Sequence, residues 1–144
     1  MTTTREMLDA SPSDVPLGVV EVAAAIDACL DCAQACVSDV DADLAEKDVD
    51  ELRTCIALCL NCADVCEATA RVLSRPSQWD GFVVERLVQA CVRVCTSCAD
   101  ECVKHADHHP HCAVCEKACR ACIHACSALL DAEALEELRK LGGA

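Results

Sequence analysis

Apolar and polar positions alternate along this chain in steps of three and four, and the residue that most often marks the step is cysteine. Cys55, Cys59, Cys62 and Cys66 are spaced four, three, four, and Cys91, Cys95, Cys98 and Cys102 repeat that spacing. Cys112, Cys115, Cys119, Cys122 and Cys126 run three, four, three, four, and Cys29, Cys32 and Cys36 run three, four. These are the a and d positions of a heptad, which share one stripe of an α-helix. The flanking e and g sites of the second segment hold Ile56, Leu58, Ala63, Val65, Ala70 and Val72. Outward f sites hold Asp64, Arg71, Arg86, Arg93, Asp100 and Lys117. Thiols therefore face inward, aliphatics flank them and charges face water.

Turn signals divide the pattern into four segments. The first runs from about Leu17 to Val40, and an acidic stretch from Asp39 to Asp50 follows. Asp48 and Glu51 read as a cap and capping box for the second segment, which ends near Leu73 before Ser74, Pro76 and Ser77. The third starts near Asp80, and Pro110 suits the first turn of the fourth. The charged tail from Asp131 to Leu141 predicts one more short helix across an end, and the first fifteen residues read as loosely ordered or peripheral. Short links between long helices predict an all-α, antiparallel four-helix bundle with a cysteine-lined core and short extra helices at the termini. The expectation is one domain over 1–144, with a bundle core of about 17–130.

Antiparallel order makes the two ends different. Val22, Ile26, Leu73, Val84, Val88 and Leu129 fall together at one end, which should be an apolar plug. Cys36, Cys55, Cys102 and Cys112 fall at the other, with His105, His109 and His111 beside them. His105 reads as the next d site after Cys102, and Asp39 as the next d site after Cys36. His108 is ambiguous, and His124, at an f site, reads as a solvated surface residue. A His-rich turn is often only a polar loop, but its place at the thiol-rich mouth favours metal capture at His105, His109 or His111 and handover to Cys102 and Cys112. The acidic stretch reads as a solvated loop that could also dock a basic metal carrier.

Composition sharpens this picture. With one Trp, one Phe, no Tyr and 16 Cys in 144 residues, large rings cannot fill the interior. Only four Gly and four Pro favour long helices over sheet. A net charge of −13 repels nucleic acid and anionic membranes and attracts cations and basic partners. No export signal or membrane-spanning run is evident, so the expected compartment is the cytosol, where thiols stay reduced and cysteines serve metals more than disulfides.

Cysteines four apart on a helix lie roughly 5–6 Å apart at Cβ, so each CxxxC pair can grip a two-coordinate ion. Cu(I) is soft, favours thiolate and accepts low coordination. Seven such pairs occur: 32/36, 55/59, 62/66, 91/95, 98/102, 115/119 and 122/126. Charge argues against zinc as the filling. A zinc tetrathiolate carries a formal charge of about −2, and each uncompensated buried charge costs several kcal/mol. One Cu(I) per thiolate is neutral, so a column of about sixteen ions follows from the thiol count. The alternatives are an iron–sulfur or Zn thiolate protein, acting in electron transfer or zinc buffering. Cluster ligands, however, usually sit on loops that wrap the cube. No distinct exposed, low-pKa thiol marks a redox enzyme, and the reading is not an enzyme.

The repeated CxxxC and CxxCxxxC units, with a His-bearing turn before the last segment, resemble the bacterial copper storage proteins, and the missing export signal resembles their cytosolic branch. The resemblance covers about Leu17 to Leu130. It implies a homotetramer of four-helix bundles, each holding many Cu(I) ions. It also implies metal access at the histidine end, a reserve or detoxifying role, and a cytosolic copper chaperone as donor. Carried over are the sixteen cysteines with His105, His109 and His111. Met1 and Met7 receive no role.

Overall fold

A computed structural model describes residues 1–142 of the chain. Six α-helices follow one another among them: α1 (Thr3–Ala10), α2 (Val19–Ala45), α3 (Arg53–Leu73), α4 (Gly81–Val103), α5 (Pro110–Ser127) and α6 (Ala132–Leu138). Helices α2 to α5 form the bundle, each sequential pair packing along its length and α5 closing back onto α2. The apolar stripes can be buried only against one another, and the short links leave no alternative to antiparallel neighbours.

All sixteen cysteines are fully buried and unpaired by disulfides. At the plug end Val22, Ile26, Leu73, Val84, Val88 and Leu129 are all at most 2% exposed, which closes that end as the pattern predicts. The two terminal helices are both present. The tail forms α6, capped by the Asp131 side chain accepting from the Ala134 backbone N–H at 2.8 Å. The Arg139 guanidinium ties it to α4 by an ion pair to Glu85 at 2.9 Å, and Leu138 is fully buried. Gly81, the first residue of α4, lies so close to this crossing that a Cβ there would fall 1.6 Å from the Leu138 carbonyl oxygen. Only glycine allows the tail to pass.

Three expectations need correction. The first fifteen residues are peripheral, as read, but not loose: Thr2 caps α1 and also donates to Asp27 on α2 at 2.8 Å, while Leu8 is buried in the core. The first bundle helix does not stop near Val40 but continues to Ala45, because no Gly or Pro interrupts it and its last acidic residues have partners inside the bundle. The capping box does not form: Asp48 makes no side-chain cap, a single 3₁₀ turn (Val49–Leu52) leads into α3, and Asp48 bonds to His109 instead. The starts near Asp80 and at Pro110 are as read from the sequence, and the Asp80 side chain caps α4. Among the described residues, no helix is long and apolar enough to cross a membrane.

Candidate metal centre

The heptad register stacks the thiols in layers across the bundle. At the plug end Cys29 lies 3.8 Å from Cys91 and 3.6 Å from Cys126, with Cys66 3.8 Å from Cys91 and Cys122 3.7 Å from Cys29. Next come Cys32, Cys62, Cys95 and Cys119, where Cys32 is 3.8 Å from Cys62 and 3.7 Å from Cys119. Cys36, Cys59, Cys98 and Cys115 form the third layer, with Cys59 3.5 Å from Cys98 and 3.8 Å from Cys115. Cys55, Cys102 and Cys112 stand at the mouth.

The sulfurs therefore meet across helices as closely as along them. Four of the CxxxC pairs, 55/59, 62/66, 98/102 and 122/126, have sulfurs 3.8–4.0 Å apart. Several sets of four, such as Cys32, Cys66, Cys95 and Cys122 from four different helices, have sulfurs mutually within 4.8 Å. The emphasis on single-helix pairs thus changes: neighbouring pairs merge into bridged clusters. Hydrogen bonds from Cys122 and Cys126 hold the Cys29 thiol below its ordinary value.

The mouth is built differently. After Cys36 the alternation of three and four on α2 continues through Asp39 and Asp43, which are 1% and 0% exposed. Asp39 takes the fourth place in the outermost layer. One of its oxygens accepts from the thiols of Cys59 at 3.5 Å and of Cys55 and Cys102 at 3.7 Å. Its other oxygen accepts from His111 Nδ1–H at 2.6 Å. The Cys112 thiol donates to Asp43 Oδ1 at 3.5 Å, and the second Asp43 oxygen is buried with no hydrogen-bond partner among the described residues. An unsatisfied buried oxygen of this kind costs about 1–3 kcal/mol.

Outside these lies a second shell of charge. His111 Nε2–H donates to Glu46 at 2.9 Å, and the His109 ring bonds Glu46 through Nδ1 and Asp48 through Nε2, the latter at 2.9 Å. Both nitrogens of each ring thus face carboxylates, which favours imidazolium. Asp48 raises His109 first, with burial opposing and Glu46 adding. Burial pulls His111 down, but its bonds to Asp39 and Glu46 outweigh that and leave it above its ordinary value. Glu46 is lowered by His111 and His109, and Asp48 by His109. Burial pushes Asp39 up, and burial together with the charge of Asp39 pushes Asp43 to about 7. Burial likewise raises Cys112, with Asp39 adding to the rise.

Of the sequence-predicted histidines, the structure brings His109 and His111 together, ring centroids 5.4 Å apart. His105 is not on a continuing helix, since α4 ends at Val103. It sits in the following turn with its Nε2 2.8 Å from Glu101. His108 and His124 are exposed. The acidic stretch is not simply a solvated loop, because Asp39 and Asp43 point inward and Glu46 and Asp48 hold the histidines. Sequence reasoning missed Asp43, Glu46 and Asp48. The signal for Asp43 was present, because it continues the seam of Cys29, Cys32, Cys36 and Asp39 at steps of three and four.

The family model for copper storage protein matches residues 19–131. Solved structures agree. The Streptomyces lividans copper storage protein loaded with 10 copper equivalents is 43% identical over 94% of this chain and 99% of its own, with a TM-score of 0.86. The cytosolic copper storage protein of that organism loaded with five coppers is 45% identical over 88% of this chain and 100% of its own, with a TM-score of 0.73. A histidine-to-alanine mutant of the Streptomyces lividans protein is 45% identical over 84% of this chain and 97% of its own, with a TM-score of 0.77. No curated protein matches the chain.

Proposed function

The chain belongs to the copper storage protein family, and from that premise we propose that it stores Cu(I) on the sixteen thiolates of its bundle core. The observation that carries this reading is the continuous column of buried sulfurs, spaced 3.5–4.0 Å from neighbour to neighbour, with Cys112 at its end beside Asp43 and His111. Each Cu(I) replaces one thiol proton, so the column fills without adding net charge to an interior that, among the described residues, holds no lysine or arginine. Three- and four-helix sets of sulfurs let ions share bridging thiolates, so the site is a string of clusters rather than a row of separate pairs. The iron–sulfur and zinc–thiolate readings gain no support from the family or the fold.

Uptake runs through the open end. His111 abuts Cys112, 3.6 Å from its sulfur, and is the first imidazole in line with the thiols. His109 lies beside it on Glu46 and Asp48, and His105 turns to Glu101 after α4. Soft thiolate outcompetes imidazole for Cu(I), which drives the ion inward. The cytosol is the proposed compartment, as it is for the Streptomyces lividans relative. A homotetramer and a cytosolic chaperone as donor complete the proposal. Exposed Leu30, Val37 and Leu44 lie on one stripe of α2, with Leu60 exposed on α3, and these faces are suited to burial between subunits. The acidic mouth suits a basic donor.

Titration of reduced, metal-free protein with Cu(I) against a chromogenic chelator tests the reading. About sixteen ions per chain are expected from one ion per thiol. Saturation at one or two ions, or iron or zinc in place of copper after growth in copper-supplemented cells, would overturn it.

A further inference from the structure

We propose that the metal-free bundle also binds trivalent arsenic, taken up as arsenous acid and held as pyramidal tris-thiolates in three sulfur triangles of the core. Each triangle is a CxxxC pair of one helix closed by a single thiol of a neighbouring helix. Cys122 and Cys126 on α5 are 3.9 Å apart, and Cys29 on α2 lies 3.7 and 3.6 Å from them. Cys62 and Cys66 on α3 are 3.8 Å apart, and Cys95 on α4 lies 3.6 and 3.5 Å from them. Cys98 and Cys102 on α4 are 4.0 Å apart, and Cys59 on α3 lies 3.5 and 4.0 Å from them. The three triangles share no sulfur, and every thiol in them is fully buried.

Shape and charge both select this ligand. A trivalent arsenic centre carries a lone pair and bonds its three ligands on the opposite side, so a tris-thiolate draws its sulfurs together on one side of the ion. Sulfurs already in mutual contact on packed helices reach that arrangement with little movement and little further loss of rotamer freedom. A linear ion such as Hg(II) needs the opposite, two sulfurs held apart on either side of it. Three thiolates on a trivalent centre sum to zero charge. That is the same balance that admits one Cu(I) per thiolate, and it spares the dry interior the several kcal/mol that each uncompensated charge costs. Thiolate is also the ligand that a soft ion prefers.

The exchange balances without a redox step. Arsenous acid, As(OH)3, and three thiols give one tris-thiolate and three waters. Three As–O and three S–H bonds break, three As–S bonds form, and each thiol proton leaves with a hydroxyl as water. Arsenic stays trivalent throughout. Cu(I) loading releases one proton per thiol, whereas this exchange releases none. Arsenous acid is uncharged at neutral pH, so the carboxylates at the mouth do not repel it. Copper-filled protein should bind no arsenic, a consequence that rests on the storage reading above, because both ligands occupy the same thiols.

Titration of reduced, metal-free full-length protein with sodium arsenite is the test. Three arsenic atoms per chain are expected, one for each triangle, and each should block three thiols to a disulfide reagent with no proton released at neutral pH. X-ray absorption at the arsenic edge should show three sulfurs and no oxygen. Cys29 closes the triangle at the plug end, so Cys29→Ser should bind two arsenic atoms where the parent binds three, with the far-UV spectrum confirming the helices. Arsenic held by two sulfurs and an oxygen, fewer than three atoms per parent chain, or three atoms retained by folded Cys29→Ser overturns the inference. The absorption result on the parent chain decides it even where the variant does not fold. Cu(I) capacity titrated on a separate portion of the same preparation reads the storage function by itself, so either can fail alone.

Discussion

Asp39 stands at the seam position after Cys36, and three thiols turn their hydrogens toward one of its oxygens while His111 donates to the other. That single side chain joins the thiol column to the histidine cluster. On the proposed uptake route His111, 3.6 Å from the Cys112 sulfur, is the imidazole from which an incoming ion would reach the thiols, whereas His109 bonds Glu46 and Asp48 and His105 bonds Glu101. His111→Ala is expected to slow Cu(I) uptake by about tenfold, the loss typical of removing one ligand-orienting or capturing group, while the final capacity stays near that of the parent. Stopped-flow transfer from a copper chelator measures both. A smaller effect is expected for His109→Ala and the smallest for His105→Ala, whose ring is turned to Glu101. Parental rates in all three variants would remove the mouth from the uptake route.

Helix α6 illustrates what one ion pair does for an element. It is only seven residues long, and Arg139 clamps it to α4 through Glu85. The guanidinium holds the Glu85 carboxyl below its ordinary value. A depressed carboxylate contributes stability above its unfolded pKa, and that contribution disappears as pH falls through the folded value. Glu85→Gln is thus expected to lower the thermal midpoint of the metal-free protein at neutral pH, and the difference from the parent should close below about pH 4. Thermal melts at two pH values decide it, and a gap that persisted in acid would show that packing, not the ion pair, holds α6. Helix α2 shows the converse. Its acidic end reads as solvated from composition, yet it stays helical because Asp39 and Asp43 find partners inside the bundle.

Across the whole molecule, the plug end and the flanking aliphatics bury enough surface to fold the chain without metal. Val22, Ile26, Leu52, Leu73, Leu129 and Leu138 are all at most 2% exposed, and each such burial contributes about 1.5–3 kcal/mol. Reduced, metal-free protein is therefore expected to be helical by circular dichroism and to melt cooperatively. Copper should raise the midpoint, since it binds the folded bundle in preference to the open chain. A coil spectrum without copper would mean that the metal drives folding, as in small metal-dependent domains.

The alternation of threes and fours alone determined the helices, the inward stripe of thiols, the apolar and polar ends and the soft-metal chemistry, because a heptad period fixes which residues share a face before any partner is known. It also carried Asp39, legible as the next seam site, and Asp43, whose place in an acidic stretch disguised it as loop. What only the tertiary structure decided is how sulfurs from different helices interleave, and which carboxylates meet which imidazoles. Glu46 and Asp48 reach His109 across more than sixty residues of chain, and no local period encodes such a pairing. It depends on where α2 ends, how the link to α3 turns and how α5 is offset against both, distances set by packing rather than by sequence spacing.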